Sequence, residues 1–342
     1  MTRKLCFVVP ALDGPISGGT LYNRELCAAL AARSCELTVC TLDEPRLASL
    51  LAAAKHAFVD TLYLDALPAL TQAAGRPLFS LTHFLPSLVT AGRAVATAEL
   101  SAPEARALCT AGGFLVTSGF MREALEPLVA KNQAILVVQP GSRARLAPPT
   151  ERPKAAPLRA LLVANLLPGK GILPLLEALA SGLRADDRFQ LSIVGRPDAN
   201  PEYAANCARA IATSTALSAH VTLQGALDHD HVLLALAEAD VLLSASVMES
   251  YGMALGDARA TGVPIIARVG GHAAAHVFAS AGGQLVNSAE ELAAACLELS
   301  RNPGALSERS QRARRNALPA RPWALAADEL LAQLAGLESM EK

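Results

Sequence analysis

The chain has 342 residues, enough for about two domains at roughly 100–200 residues each. Its 30 Lys and Arg stand against 31 Asp and Glu, and a net charge of −1 gives no sequence-independent hold on a polyanion, so nucleic acid is excluded as the main partner. Hydrophobic residues at 52% and charged ones at 18% exclude a disordered chain, and an aromatic share of 4% leaves the core to Ala, Leu and Val.

The opening MTRKLCFVVPALDG imitates a secretion signal, but its apolar run is short and ends at Pro10 and Asp13. It reads better as a first strand at 4–9. Further strands are expected at 36–41, 78–82, 113–117 and 135–139, with helices at 20–33, 44–55, 87–98 and 119–130. Residues 56–68 fit either type. The strand runs are uniformly apolar, the pattern of a parallel sheet covered by helices on both faces. Residues 140–157 carry five Pro and three Arg without periodicity and read as a linker. Alternation then resumes with strands at 158–164, 189–195, 220–223, 240–244, 263–267 and 283–287. The intervening helices are expected at 171–182, 201–216, 229–238, 252–261, 289–300 and 304–315, with a final one at 322–336. Apolar stretches such as 232–248 are broken by Glu238 and Asp240, so no transmembrane helix is expected. Seven Cys without a CxxC pair argue against a disulfide framework or a zinc site and for a reducing cytosol. The mean hydropathy of +0.31 leaves room for peripheral membrane contact.

Doubly wound sheets bind ligands at the carboxyl ends of their strands, so the segments after strands carry the candidates. Gly18 and Gly19 follow the first strand and open a helix, where a bare backbone approaches a phosphate or simply makes a flexible turn capped by Thr20. His83 follows the strand at 78–82, a position for a cleft residue or a structural one. Lys170, between Gly169 and Gly171 at a helix start, suits a diphosphate, though it also fits an exposed loop. Glu249 precedes a helix whose first amides, Gly252, Met253 and Ala254, lack intrahelical acceptors, and Asp257 lies about two turns further on. Each acid alone could be a cap or a surface charge; together they can address two parts of one ligand. Asp228, His229, Asp230 and His231 read as a solvated helix N-terminus rather than a metal site, because neighbours on a helix point apart. His272 and His276 have the spacing of a helical pair, with no acid or Cys close by in sequence.

These stretches, in order, resemble the retaining glycosyltransferases of family 4, which have the GT-B fold. The block ESYGMALGDARATGVPIIARVGG is similar to the family's glutamate-x7-glutamate motif. SGGT, RPLFSLTHFLP, FLVTSGFMREAL, ILVVQPGS, LLVANLLPGKGILPLLEAL and VTLQGALDHDHVLLALAEADVLLSAS match its other segments along nearly the whole chain. The resemblance implies two Rossmann-like domains facing an interdomain cleft: 1–145 for the acceptor, a linker at 146–157, 158–318 for the nucleotide sugar, and a C-terminal segment 319–342 crossing back to the first domain. It implies Lys170 on the donor diphosphate and Glu249 on the sugar hydroxyls. The amides of Gly252, Met253 and Ala254 would touch sugar or phosphate, and Asp257 would bind the ribose hydroxyls. Gly18 and Gly19 would face the phosphate side, and His83 would lie near the reacting carbon. Catalytic roles then fall to His83, Lys170 and Glu249.

The chain departs from the family in three places. Asp257 replaces a Glu, Ala245 a Pro, and Asn165 an Arg whose guanidinium would clamp phosphate. Arg196 and Arg143 are candidates to replace that charge. The implied reaction is metal-independent transfer of a hexosyl group from a nucleoside diphosphate sugar to a glycan, lipid-linked or small-molecule acceptor, with retention. No cofactor is expected, and the location is cytoplasmic or at the cytoplasmic face of a membrane. A non-catalytic nucleotide-sugar-binding protein, or another GT-B enzyme such as a phosphorylase or epimerase, is the alternative.

Overall fold

A computed structural model describes residues 3–142, 156–184 and 186–340. Most of the expected linker, together with Arg143, lies outside the described residues. The chain divides into two compact units, Met1–Arg143 with Arg321–Lys342, and Ala144–Ala320.

The first unit opens with β1 (Arg3–Val8), α1 (Gly18–Ala31), β2 (Cys35–Cys40), α2 (Leu47–Ala53), β3 (His56–Asp60) and α3 (Leu67–Ala74). It continues with β4 (Phe79–Thr82), α4 (Pro86–Ala91), α5 (Ala102–Thr110), β5 (Gly113–Val116), α6 (Gly119–Leu125) and β6 (Ala134–Val137). The second unit contains β7 (Leu158–Val163), α7 (Ile172–Gly182), β8 (Phe189–Val194), α8 (Pro201–Thr213), α9 (Thr215–His220), β9 (Val221–Gly225) and α10 (His229–Glu238). Then come β10 (Val241–Ser244), α11 (Met253–Thr261), β11 (Ile265–Arg268), β12 (Gln284–Val286), α12 (Ala289–Arg301) and α13 (Pro303–Arg315). The last helix, α14 (Trp323–Met340), belongs to the first unit.

Each unit holds a six-stranded sheet, β2-β1-β3-β4-β5-β6 in the first and β12-β11-β10-β7-β8-β9 in the second. Every strand pairing is parallel, as the uniformly apolar runs require. Read from the other edge, the second sheet runs 3-2-1-4-5-6 in its own order, so the winding reverses between β7 and β10. In the first sheet it reverses between β1 and β3. At such switch points successive helices leave to opposite faces, and the strand ends open a crevice.

The core of the second unit is mainly aliphatic, with the Phe189 ring buried in it. Leu162, Ile172, Leu175, Leu176, Leu179, Ile193 and Leu243 are all at or below 1% exposed. In the first sheet Phe7 stacks on Phe58 with ring centroids 4.7 Å apart, and Phe79 packs at a tilt against Phe58 at 5.3 Å.

The structure decides one stretch that the sequence left open and changes two that it assigned to single helices. Residues 56–60 (HAFVD) form a fully buried strand between β1 and β4. The helix expected at 87–98 ends at Ala91, because Gly92 turns left-handed at φ +67°. Ser101 then starts α5 with a capping box to Glu104. The helix expected at 201–216 is two helices, since Ser214 leaves the first and caps the second through Leu217 N.

Candidate functional site

In the second unit the turns after β7 and β10 meet at the switch point. The amide of Val247 donates to the carbonyl of Gly169 at 3.0 Å. Gly171 packs so closely that a Cβ there would lie 2.2 Å from the Ala245 carbonyl oxygen, and its φ of +65° also demands glycine. This contact lays Lys170 beside Glu249, with Nζ 3.1 Å from both carboxylate oxygens. Gly271, at φ +58°, backs onto the Glu249 backbone, and the amide of His272 donates to the Glu249 carbonyl at 2.7 Å. Glu249 is thus clamped from two sides while its side chain stays 14% exposed.

Helix α11 begins beside this pair. Its N-cap is Gly252 at φ +87°, with no side-chain cap, so the amides of Met253 and Ala254 keep the helix's positive end bare. Asp257 lies one turn deeper and is buried. Its Oδ2 accepts a hydrogen bond from His229 Nε2 at 2.9 Å. The solvated N-terminus expected of the Asp-His-Asp-His run holds for Asp228 and His231, which bond each other at 2.8 Å in the open. It fails for His229, which is 6% exposed and faces inward with Val232, Leu233 and Leu236. That i, i+3, i+4, i+7 spacing was visible in the sequence and marks one buried helix face.

Asn165 has a structural partner. Its Oδ1 accepts from the Arg196 amide at 3.1 Å and ties the β7 and β8 turns together. The Arg196 guanidinium is held by Asp198 at 2.6 and 3.1 Å, a bidentate pair within its own turn.

Behind Glu249, Tyr251, His272 and His276 form an aromatic nest. Tyr251 stacks on His272 at 5.5 Å and meets the edge of His276 at 4.9 Å. His276 Nε2 donates to the Tyr251 carbonyl at 2.8 Å, which commits it to the loop. Among the described residues, no three His, Cys, Asp or Glu come together as metal ligands.

Burial, then the charges of His272 and Arg259, push His276 down to about 4. The ordinary value is near 6.5, so the folded state prefers the neutral ring. Stability is full above pH ~6.5 and falls as pH drops toward ~4, by about 3 kcal/mol for this group. Urea unfolding at pH 7 and pH 5 should show a loss of about 2 kcal/mol that His276→Gln removes. Equal losses in the two proteins would rule out His276 as the source.

In the first unit, the switch point gathers His83 after β4, the glycine turn after β1 and the end of β3. Gly19 lies against the imidazole, where a Cβ would come within 3.1 Å. His83 Nε2 bonds Asn23 Oδ1 at 2.9 Å and stands 3.3 Å from Asp60 Oδ2. Asn23 Nδ2 donates to the same Asp60 oxygen at 2.5 Å, and the His83 amide donates to Thr61 Oγ1 at 2.8 Å. Burial alone would raise Asp60, but His83 and hydrogen bonds from the Leu62 amide and Asn23 outweigh it and hold the carboxyl below its ordinary value. The sequence reading missed Asn23, Asp60 and Thr61. The signal for Asp60 was an acid closing the apolar run HAFV. Gly18 is the first residue of α1, whose N-cap Ser17 forms a capping box with Thr20.

Residues 157–302 match the family model described as glycosyl transferases group 1. No curated protein matches the sequence. Among solved structures, sucrose-phosphate synthase from Thermosynechococcus elongatus superposes with a TM-score of 0.77 at 19% identity, covering 99% of this chain and 100% of its own. The Anabaena protein Alr3699/HepE, in complex with UDP and glucose, gives a TM-score of 0.75 at 16% identity over 97% of this chain and 99% of its own. WaaG, a glycosyltransferase involved in lipopolysaccharide biosynthesis, gives 0.68 at 16% identity over 94% of this chain and 98% of its own.

Proposed function

With a GT-B fold and a second unit that matches group 1 glycosyl transferases over residues 157–302, we propose that this chain moves a hexosyl group from a nucleoside diphosphate sugar to an acceptor hydroxyl, with retention and without a metal. The observation that carries this reading is the Lys170–Glu249 pair, held at 3.1 Å beside the uncapped start of α11 at the sheet's switch point. A cation and free amides at one point suit a departing diphosphate. A carboxylate next to them suits sugar hydroxyls.

As the anomeric carbon–oxygen bond breaks, positive charge grows on the sugar and negative charge on the diphosphate. Lys170 and the amides of Met253 and Ala254 stabilise the negative end. The acceptor oxygen attacks from the face the diphosphate leaves, and its proton passes to the leaving phosphate oxygen, so no side chain has to act as nucleophile. His83, oriented by Asn23 and Asp60, is assigned to the sugar near that carbon. Asp257 is assigned to the ribose.

UDP-glucose is the first donor to test, supported by the solved Anabaena complex with UDP and glucose. The acceptor is a glycan, a lipid-linked sugar or a small molecule. Seven free thiols support a reducing, cytoplasmic compartment. No helix among the described residues is long and apolar enough to cross a membrane, and contact with the cytoplasmic face would be peripheral.

A second reading, binding without turnover, draws on Asn165. Without an Arg there, and with Arg196 held by Asp198, Lys170 is the cation this turn offers to phosphate. Thermal melts with UDP, GDP, ADP and dTDP and their sugar conjugates, in chelator, separate the readings. A ligand at 100 times its dissociation constant adds about 2.7 kcal/mol, a midpoint shift of a few degrees. Transfer reads as a selective shift plus glycosylated product formed in the chelator. A shift with no product across an acceptor screen favours the binding protein, and turnover restored only by magnesium or manganese ends the claim of metal independence.

A further inference from the structure

We infer that His229 is a positioning residue of the nucleoside site: it holds one oxygen of Asp257 and thereby turns the other toward a ribose hydroxyl. The inference rests on the reading of Asp257 as the ribose-binding acid.

The pair joins α10 to α11. Below it, Val232, Leu233 and Leu236 of α10 share an apolar cluster with Leu255 and Ala258 of α11. A His–Asp contact in such a place is costly to bury, and apolar residues of similar volume would pack there at least as stably. Both side chains are more than nine-tenths buried, at 6% and 5% exposed, and their bond is 2.9 Å long. His229 Nδ1 is buried with no hydrogen-bond partner among the described residues.

That orphan fixes the tautomer. A buried N–H without an acceptor costs more than a bare ring nitrogen, so the proton sits on Nε2 and is donated to Asp257 Oδ2. The ring's donor is then committed to Asp257 Oδ2. Among the described residues nothing bonds Asp257 Oδ1, so this oxygen remains for a ligand hydroxyl. An Asp is one methylene shorter than the Glu of the resembled family and has one torsion fewer. Pinning Oδ2 removes most of the remaining rotation, so Oδ1 is aimed before the ligand arrives.

The test uses the full chain and isothermal titration. UDP, GDP and ADP are titrated into wild type, and the tightest is compared with its 2′-deoxy and 3′-deoxy forms. Wild type should prefer the intact ribose. In His229→Ala, binding of the intact diphosphate should weaken about tenfold, the scale of one hydrogen bond to a charged group, and the preference over a deoxy form should shrink. His229→Gln keeps an N–H at a similar reach and should retain both properties within about threefold. Loss of affinity alone, with the ribose preference intact, would mark a merely structural histidine and overturn the inference, as would wild-type binding in His229→Ala. If His229→Ala does not fold, His229→Met, bulkier and without a donor, takes its place; if neither folds, the role is structural and the inference falls. Wild type that binds none of the three diphosphates instead overturns the proposed function, and this inference with it.

Discussion

Lys170→Ala should lower kcat/KM for sugar transfer by about 10²–10³-fold, the cost of removing one preorganised charge partner from a transition state, about 2.7–4 kcal/mol. The reason is local. Lys170 is 30% exposed and touches Glu249 with its one ammonium, so no second lysine backs it up in this turn. Glu249→Ala should lower kcat/KM by a comparable factor, but the two variants should differ in binding. Without Glu249 the ammonium loses its 3.1 Å partner and is free for phosphate. Glu249→Ala should therefore bind the nucleoside diphosphate product at least as tightly as wild type, while Lys170→Ala binds it more weakly. Titration calorimetry of both variants reads this directly. Wild-type turnover in either, with an unchanged melt, would take that residue out of the mechanism.

Leu330→Ala and Leu334→Ala should each destabilise the first unit by about 2–5 kcal/mol, because both leucines are fully buried and a cavity adds to the lost transfer energy. They stand one turn apart on α14, so the double variant should depart from the sum of the singles. The ion pairs at the far end of that helix contribute much less. Glu338 is gripped by Arg3 at 3.0 Å, Lys55 at 2.9 Å and His56 at 3.0 Å, which together push its carboxyl down to about 2. It is a fifth exposed, so water and salt screen the cluster. Glu338→Ala should cost about 1 kcal/mol, visible as a small loss when pH falls from about 4.5 toward 2 in wild type only. With two units, unfolding need not be two-state, so the effect should be read on the transition that α14 shares with α1. A loss confined to the other transition would contradict the packing.

Contacts within one helix turn or one strand were open to sequence reasoning. The alternation of apolar runs with Ala- and Leu-rich stretches already implied two parallel sheets, and α10 begins and ends at the residues expected, His229 and Glu238. Asp228 was readable as its cap. The strand at 56–60 was not, because its ends are His56 and Asp60, whose side chains meet partners distant in the chain, Glu338 for His56 and Asn23 and His83 for Asp60. His229 was misread for a related reason. Its helix spacing marked a buried face, but a buried histidine needs a partner, and Asp257 lies 28 residues away.

The sequence by itself determined the class of fold and the residue types that stand after the strands: Lys170, Glu249 and His83, with Asp257 in the helix that follows Glu249. These follow from patterns a few residues long, since helix and strand periods repeat locally. The tertiary structure decided which of them meet. Lys170 and Glu249 are 79 residues apart and touch because β7 and β10 are neighbours in the sheet while β8 and β9 go to the other side. His83 meets Asn23 and Asp60 by the same rule in the first unit, where β3 lies between β1 and β4. Strand order is set by how whole helices pack on both faces of a sheet, and no local pattern encodes it.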